Sequence, residues 1–416
     1  MRNRNIFHID ANSAYLSWEA TWRLQHGESL DLRDVPSVVG GDPKSRHGII
    51  LAKSIPAKKY GIKTGETLYS ARQKCPDLLI VPPNYELYMK CSNGMFDLLK
   101  EYSHLVQRYS VDECFLDYTE SEKLFGSPLK TAYKIKNRIQ EELGFTVNIG
   151  ISHNKLLSKM ASELEKPNKV HTLFSDEIAS KMWTLPVDDL FMVGNKTLPK
   201  LKRIGISTIG DLAKANLSHM KSYLKSHGVL IWNYANGIDE SPVREEDMVQ
   251  KGVGNSTTIA FDVTNQREAH LILLSLTETV SMRLRKKKSL ARVVSVSIKD
   301  KDFAYYSHQC ALCAPTDSTN VLFKYVKKLF NEAWKGEPIR HLGVRLTELC
   351  SREFYQISIF DEKSLDKYRR IDETVDCLRR QYGKKSVIRG SFLHSGLKPI
   401  AGGVGEEEYK MMSSHL

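Results

Sequence analysis

Over the first 172 residues the apolar positions switch repeatedly between the spacing of strands and that of helices. Segment 6–9 reads as a buried strand and 15–25 as a helix. Segments 37–39 and 49–51 are short strand candidates, and 57–60 and 68–74 short helices, punctuated by Gly61, Gly65 and Pro76. In 85–102, Tyr85, Met89, Phe96 and Leu99 fall near one helical face. The pattern over 105–117 predicts two strands around a tight turn. A helix at 131–143, a strand at 146–151 and a helix at 154–165, ended by Pro167, complete an α/β domain.

From 175 to 237 the pattern turns helical, with Gly194 and Gly205 between short helices. Such glycines let backbone amides approach a DNA phosphate, and they serve equally as ordinary helix C-caps. Residues 241–253, with Pro242 and mixed charges, read as a linker. Beyond it, strands at 255–261, 292–299, 303–312 and 339–349 alternate with helices at 266–287 and 319–334, in β-α-β-β-α-β order. Ile272, Leu276, Val280 and Leu284 give the first of these helices an apolar core stripe. A polar helix at 365–382 precedes a Gly-rich acidic end from Gly402.

Composition narrows the class. With 416 residues, 41% hydrophobic and 26% charged, the chain is not collagen-like, mucin-like or wholly disordered. No run of about 18 apolar residues occurs, so no membrane span is expected. The N-terminus has no signal-peptide-type segment, and seven scattered cysteines make no disulfide framework; the expected location is cytoplasmic. A net charge of +12 points to a polyanionic partner, nucleic acid first, with a basic enzyme lacking such a partner as the alternative. Between 251 and 345, 16 Lys and Arg stand against 8 Asp and Glu. The densest run is 283–288, followed by Arg292, so Arg285, Lys287 and Arg292 are candidate DNA contacts; a helix C-terminus also favours such cations.

Three acidic positions carry the candidate chemistry. Asp10 ends the first apolar strand, and Asp112 and Glu113 lie in the turn of 105–117. A carboxylate in an apolar strand is costly to bury unless paired or metal-bound. Asp112 and Glu113 alternate faces on a straight strand, but at a hairpin turn both can reach one metal site beside Asp10. Three carboxylates there would suit two Mg²⁺ and in-line phosphoryl displacement. A strand-end Asp and a surface Asp-Glu turn account for the same pattern.

His8-Ile9-Asp10 with Glu19, then Ser110-Val111-Asp112-Glu113, then Gly150-Ile151-Ser152-His153-Asn154-Lys155 through Glu165-Lys166-Pro167-Asn168 stand in order. Over roughly residues 5–350 the chain resembles the Y-family translesion DNA polymerases, of the bacterial DNA polymerase IV type. The resemblance implies an α/β multidomain right hand. Its parts are a ferredoxin-like palm (1–20 and 84–172), small fingers (21–83), a helical thumb with helix-hairpin-helix elements (173–240), the linker 241–253, a β-α-β-β-α-β little finger (254–350) and a tail (351–416). It implies a monomeric nucleotidyltransferase that binds primer–template DNA and dNTPs. Such an enzyme synthesises DNA across damaged templates, error-prone and without proofreading, with two Mg²⁺ per active site. By the same resemblance Asp10, Asp112 and Glu113 hold the metals, helped by the carbonyl of Ala11. Tyr15 is the steric gate against a 2′-OH, and Lys166 and Lys58 meet the triphosphate.

The match has departures. Asn12 stands where many relatives have Asp, Ala14 where a bulky aromatic is usual, and Met192 where a glycine is expected. Ile55 and Lys58 stand where relatives place a Tyr and an Arg on the triphosphate. Lys58 keeps the charge without the planar fork, and Ile55 donates no hydrogen bond. After the last domain, Gln356-Ile357-Ser358-Ile359-Phe360 resembles the bacterial sliding-clamp peptide, with Ile359 and Phe360 for an apolar pocket and Gln356 for register. The rival readings are a non-catalytic DNA- and clamp-binding protein on a polymerase fold, and a nucleotidyl cyclase-like palm enzyme.

Overall fold

The computed structural model describes residues 4–244, 250–352, 364–397 and 399. They form two compact units: 4–41 with 49–244, and 42–48 with the described residues from 250 onward.

In the first unit β1 (Ile6–Ala11) leads into α1 (Ala14–Gln25), followed by β2 (Ser37–Gly40), β3 (Ile50–Lys53), α2 (Ile55–Lys59), α3 (Leu68–Lys74) and β4 (Leu79–Val81). Next come α4 (Tyr85–Lys100), β5 (Val106–Arg108), β6 (Glu113–Asp117), α5 (Glu122–Phe125) and α6 (Pro128–Leu143). Then follow β7 (Val147–Ser152), α7 (Lys155–Glu163) and β8 (Val170–Thr172). One sheet has the order β5-β6-β1-β7-β8, with β1 central and antiparallel to both neighbours. All six residues of β1 are buried, which is why Ile6, Phe7 and Ile9 read as continuously apolar and why His8 and Asp10 need partners. Met95 and Leu99 of α4 and Ile135 and Ile139 of α6 enter the core under this sheet. Across β7, α7 comes close: a Cβ at Gly150 would lie 1.9 Å from the Ser158 carbonyl oxygen. Only glycine fits there. A second, three-stranded sheet, β3-β2-β4, has its own small core of Val38, Ile50, Ala57, Leu68 and Ala71.

Residues 173–240 are helical, with α8 (Leu198–Arg203), α9 (Ile209–Lys214) and α10 (Leu217–Ala235), the last broken at Lys225. Met182, Leu201, Ile209, Leu212 and Ile231 are their core. Met192 has φ of +74°, a left-handed conformation that costs a residue with a Cβ about 1 kcal/mol. The stretch expected as linker is anchored at both ends. Val243 is buried beside Ile6, Tyr109 and Phe115, and a strand already begins at Gly252.

The second unit contains β9 (Gly252–Val263), α11 (Gln266–Lys286), β10 (Ser289–Asp300), β11 (Tyr305–Thr316), α12 (Thr319–Ala333), β12 (Ile339–Ser351) and α13 (Ser364–Tyr382). Its sheet order is β11-β10-β12-β9, every pair antiparallel. Val294, Val296, Ile298, Leu342, Val344 and Leu346 face the helices in the core. Strand alternation puts Ser295, Ser297, Lys299, Gly343 and Arg345 on the opposite face.

Arg285, expected on DNA, is buried instead. It donates to both carboxylate oxygens of Asp376 (2.6 and 3.0 Å) and to the Asp317 carbonyl (2.9 Å), with Asp372 at 3.3 Å. Together with the Arg379–Glu278 pair at 3.3 Å, it holds α13 on α11. The basic run thus mixes one structural arginine with exposed lysines, a distinction no linear pattern carries.

Candidate active site

Asp10 and Glu113 are direct cross-strand partners in the β1–β6 pair. Carboxylate oxygens of Asp10, Glu113 and Glu163 lie within 4.8 Å of one another. Asp112 precedes β6; its carbonyl accepts from Ala11 N–H at 3.0 Å, and its carboxylate takes the hydroxyl of Ser110. Of the expected trio the structure brings Asp10 and Glu113 together. Asp112 sits beside them but not among the three converging carboxylates, where Glu163 stands instead.

Two ammonium groups neutralise this acidic centre. Lys166 Nζ contacts Asp10 Oδ2 and donates to Glu163 Oε1 at 2.8 Å. Lys159 Nζ donates to Glu113 Oε2 at 2.7 Å, and His8 Nε2 lies 3.6 Å from the same oxygen. Burial pushes the Asp10 carboxyl up, against the pull of Lys166 and with the push of Glu113. Burial likewise raises Asp112, opposed by its bond to Ser110. Burial works against ionised Glu113 too, yet the contacts with His8 and Lys159 bring it down to about 2. His8, buried and near Lys159, is lowered to about 4 and is neutral at pH 7, so Lys159 is the cation that holds Glu113 there. Burial opposes the charge on Lys166, but Asp10 and Glu163 raise it overall.

A buried amide network fixes the loop that carries Lys166. Asn12 Nδ2 donates to Asn148 Oδ1 at 3.1 Å, while its Oδ1 accepts from Thr146 Oγ1 (3.1 Å) and Asn168 N–H (2.9 Å). Asn148 Nδ2 donates to the carbonyls of Ser162 and Glu165.

The other expected residues are spread around this centre. Tyr15, on α1, stacks on Tyr88 with ring centres 4.4 Å apart and stands near Trp18 and Tyr85. Ile55 and Lys58 are exposed on α2, whose start is capped by Ser54 Oγ accepting from Ala57 N–H. Gly194 and Gly205 are exposed, and nothing would lie within 4 Å of a Cβ at either. In the second unit Arg292 is exposed, and Lys287 is exposed and bonds to Gln250. Gln356, Ile359 and Phe360 lie outside the described residues.

Glu163, Lys159 and Asn148 also stand at this centre, and no motif of the sequence names them. One signal was present: Lys155, Lys159 and Glu163 stand four apart, on one face of a helix whose residues 155–162 are all buried. Arg345 and Lys299 lie on the open face of the second sheet, a place that depends on strand register and is not legible in the sequence.

Among the described residues no helix is long and apolar enough to cross a membrane. The impB/mucB/samB family profile matches residues 9–163, and the profile of that family's C-terminal domain matches 250–359. A protein of Clostridium acetobutylicum named DNA polymerase IV is 49% identical over 93% of this chain and 98% of its own. One from Acetivibrio thermocellus with the same name is 39% identical over 95% and 100%. Among solved structures, a Y-family DNA polymerase chimera of Dbh and Dpo4 superposes with a TM-score of 0.72 at 21% identity, covering 83% of this chain and 99% of the chimera. That last likeness speaks for the fold.

Proposed function

The chain belongs to the impB/mucB/samB family, in its bacterial DNA polymerase IV (Y-family) type, and from that membership we infer the activity. It is a DNA-directed DNA polymerase that carries out error-prone translesion synthesis. The observation that carries the active-site assignment is the convergence of Asp10 and Glu113 across one strand pair.

We assign the five-stranded sheet and its helices to the palm, the three-stranded sheet with α2 and α3 to the fingers, residues 173–240 to the thumb and the second unit to the little finger. The donor set beside Asp10 is all oxygen, which suits a hard divalent cation. Asp10, Asp112 and Glu113, with the carbonyl of Ala11, would hold two Mg²⁺. Bound there, the ions would neutralise charge on the attacking and leaving oxygens of an in-line phosphoryl transfer from dNTP to the primer 3′-OH.

The chain's own residues supply the rest. Lys166, carried on the loop fixed by Asn12 and Asn148, would leave Asp10 to meet the triphosphate, with Glu163 keeping it near. Lys58 adds a second positive charge from the fingers. The Tyr15 ring, backed by Tyr88, would lie under the sugar and exclude a 2′-OH. The open face of the little finger, with small residues around Arg345 and Lys299, would grip template–primer phosphates without reading sequence, together with Arg292, Lys287 and the amides near Gly194 and Gly205. We propose that the enzyme works as a monomer and that Gln356, Ile359 and Phe360 dock it on the bacterial sliding clamp, raising its effective concentration at the primer end.

The test is extension of a labelled primer–template with Mg²⁺ and dNTPs, beside Asp112→Ala and Glu113→Ala. Both variants should lose synthesis by about a thousandfold or more while still binding DNA. Retained synthesis would break the metal assignment. DNA binding without extension by the unaltered protein would favour the non-catalytic reading and direct attention to Ile55.

A further inference from the structure

The ammonium of Lys159 is enclosed by three groups from two parts of the first unit, the β5–β6 hairpin and the helical region 173–240. It donates to Glu113 Oε2 at 2.7 Å, lies 5.2 Å from the ring centre of Tyr109 and 5.7 Å from that of Phe191. Only 10% of the side chain is exposed. Tyr109 comes from the turn before β6, Lys159 from the middle of α7, and Phe191 from the start of the helical region 173–240. Tyr109 and Phe191 meet edge to face at 6.5 Å, and Phe191 stacks on Tyr234 of α10 at 6.1 Å. The cage is thus continuous with the core of the helical region.

A lysine is rarely buried without a purpose for its charge, because desolvation of an ammonium is costly. Here a carboxylate and two aromatic faces offset that cost, and all three fix where the ammonium sits. Held there, it engages one oxygen of Glu113 and leaves Oε1 to meet a cation. His8 Nε2 stands 3.6 Å from the same oxygen, beyond the 2.7 Å of the Lys159 bond, so the ammonium is the nearer group that holds Glu113 Oε2 in place.

We infer that Lys159 is a positioning residue that orients Glu113 for metal binding, and that Phe191 ties the placement of the 173–240 region to that carboxylate. The inference rests on the reading of Glu113 as a metal ligand. It makes the region assigned to gripping DNA a participant in building the active site, through one side chain.

The test uses the full chain with Lys159→Met, Lys159→Arg and Phe191→Leu, beside Glu113→Ala. Primer extension is measured at saturating dNTP over a Mg²⁺ titration, with dNTP KM, DNA affinity and thermal midpoint recorded for each. Partners of a metal ligand typically contribute about 10- to 100-fold, so Lys159→Met should lower the rate by that much and raise the Mg²⁺ needed for half-maximal rate, with dNTP KM and DNA affinity held. Lys159→Arg should recover most of the loss. Phe191→Leu, which keeps apolar volume but removes the ring face, should shift both quantities the same way by about threefold. An unaltered rate and Mg²⁺ dependence in Lys159→Met would overturn the inference, as would equal loss in the Met and Arg variants. If Lys159→Met does not fold, an unchanged Mg²⁺ dependence in Phe191→Leu overturns it. Synthesis surviving in Glu113→Ala would instead sink the active-site reading itself.

Discussion

Asn12 Nδ2 donates to Asn148 Oδ1 at 3.1 Å, amide to amide, in the buried space between the end of β1 and β7. Every other bond of the pair fixes its orientation. Asn148 spends its own donors on the carbonyls of Ser162 and Glu165, and Asn12 Oδ1 accepts from Thr146 and Asn168. An aspartate at position 12 would set a carboxylate oxygen against Asn148 Oδ1 with no donor between them. Asn12→Asp should therefore cost about 1–3 kcal/mol in urea unfolding. Unchanged stability would mean that Asn148 turns over freely.

Tyr15 has its ring stacked on Tyr88, itself fully buried, so the ring is fixed from behind and its far side bounds whatever lies against it. Tyr15→Ala should admit ribonucleotides, raising rNTP relative to dNTP incorporation by about tenfold or more, as expected when a steric contact of a few kcal/mol is removed. An unchanged ratio in single-nucleotide extension would place the gate elsewhere.

Element type was legible in the sequence wherever a segment was long and periodic, as in α4, α6, α11 and α12. The parallel strands β4 and β8, three residues each, are too short to carry a period and are held by their neighbours β2 and β7. Asp10 and Glu113 stood out because a carboxylate among Ile, Phe, Cys and Leu demands a partner. Glu163 and Lys159 did not, because their significance comes from α7 crossing β7 at Gly150, a contact between segments. Arg285 was misjudged for the same reason. Its acceptors Asp372 and Asp376 lie on a helix about 90 residues away, and spacing along one helix says nothing of them.

The two kinds of arginine in the second unit can be separated by experiment. Arg285→Ala would strand Asp376 and Asp372 in a buried site, so it should destabilise that unit by about 3–5 kcal/mol. Arg345→Ala, on the open face, should leave stability nearly unchanged and lower the slope of log Kd against log salt for primer–template by about one. Stable Arg285→Ala protein with weakened DNA binding would reverse the assignment.

Ile359→Ala with Phe360→Ala should abolish stimulation by the sliding clamp while basal extension stays within about twofold, since an anchor pair of this kind contributes most of the affinity of a short peptide. Loss of basal extension as well would make the segment structural.

Lys155 gives the stability of the first unit a dependence on pH. Its side chain is buried, its Nζ donates to Gln107 Oε1 at 2.9 Å and stands 4.9 Å from the Phe115 ring centre. Burial, with Arg244 and Arg4 adding to it and Asp239 opposing, lowers its pKa from 10.5 to about 8. Below about pH 8 the ammonium is charged in both folded and unfolded chains, and the folded state bears the whole cost of desolvating it. Between about 8 and 10.5 the unfolded chain holds a proton that the folded one has released, so this group makes stability rise with pH across that window. Lys155→Met keeps the apolar stem and removes the charge. It should stabilise the protein by about 2 kcal/mol at pH 7, the lost bond to Gln107 setting the limit, and the gain should shrink as pH rises above about 8, reaching zero at about pH 9.5. Urea unfolding of both proteins at pH 7 and pH 9.5 checks this. No gain at pH 7, or a gain independent of pH, would mean that the amine stays hydrated despite its position.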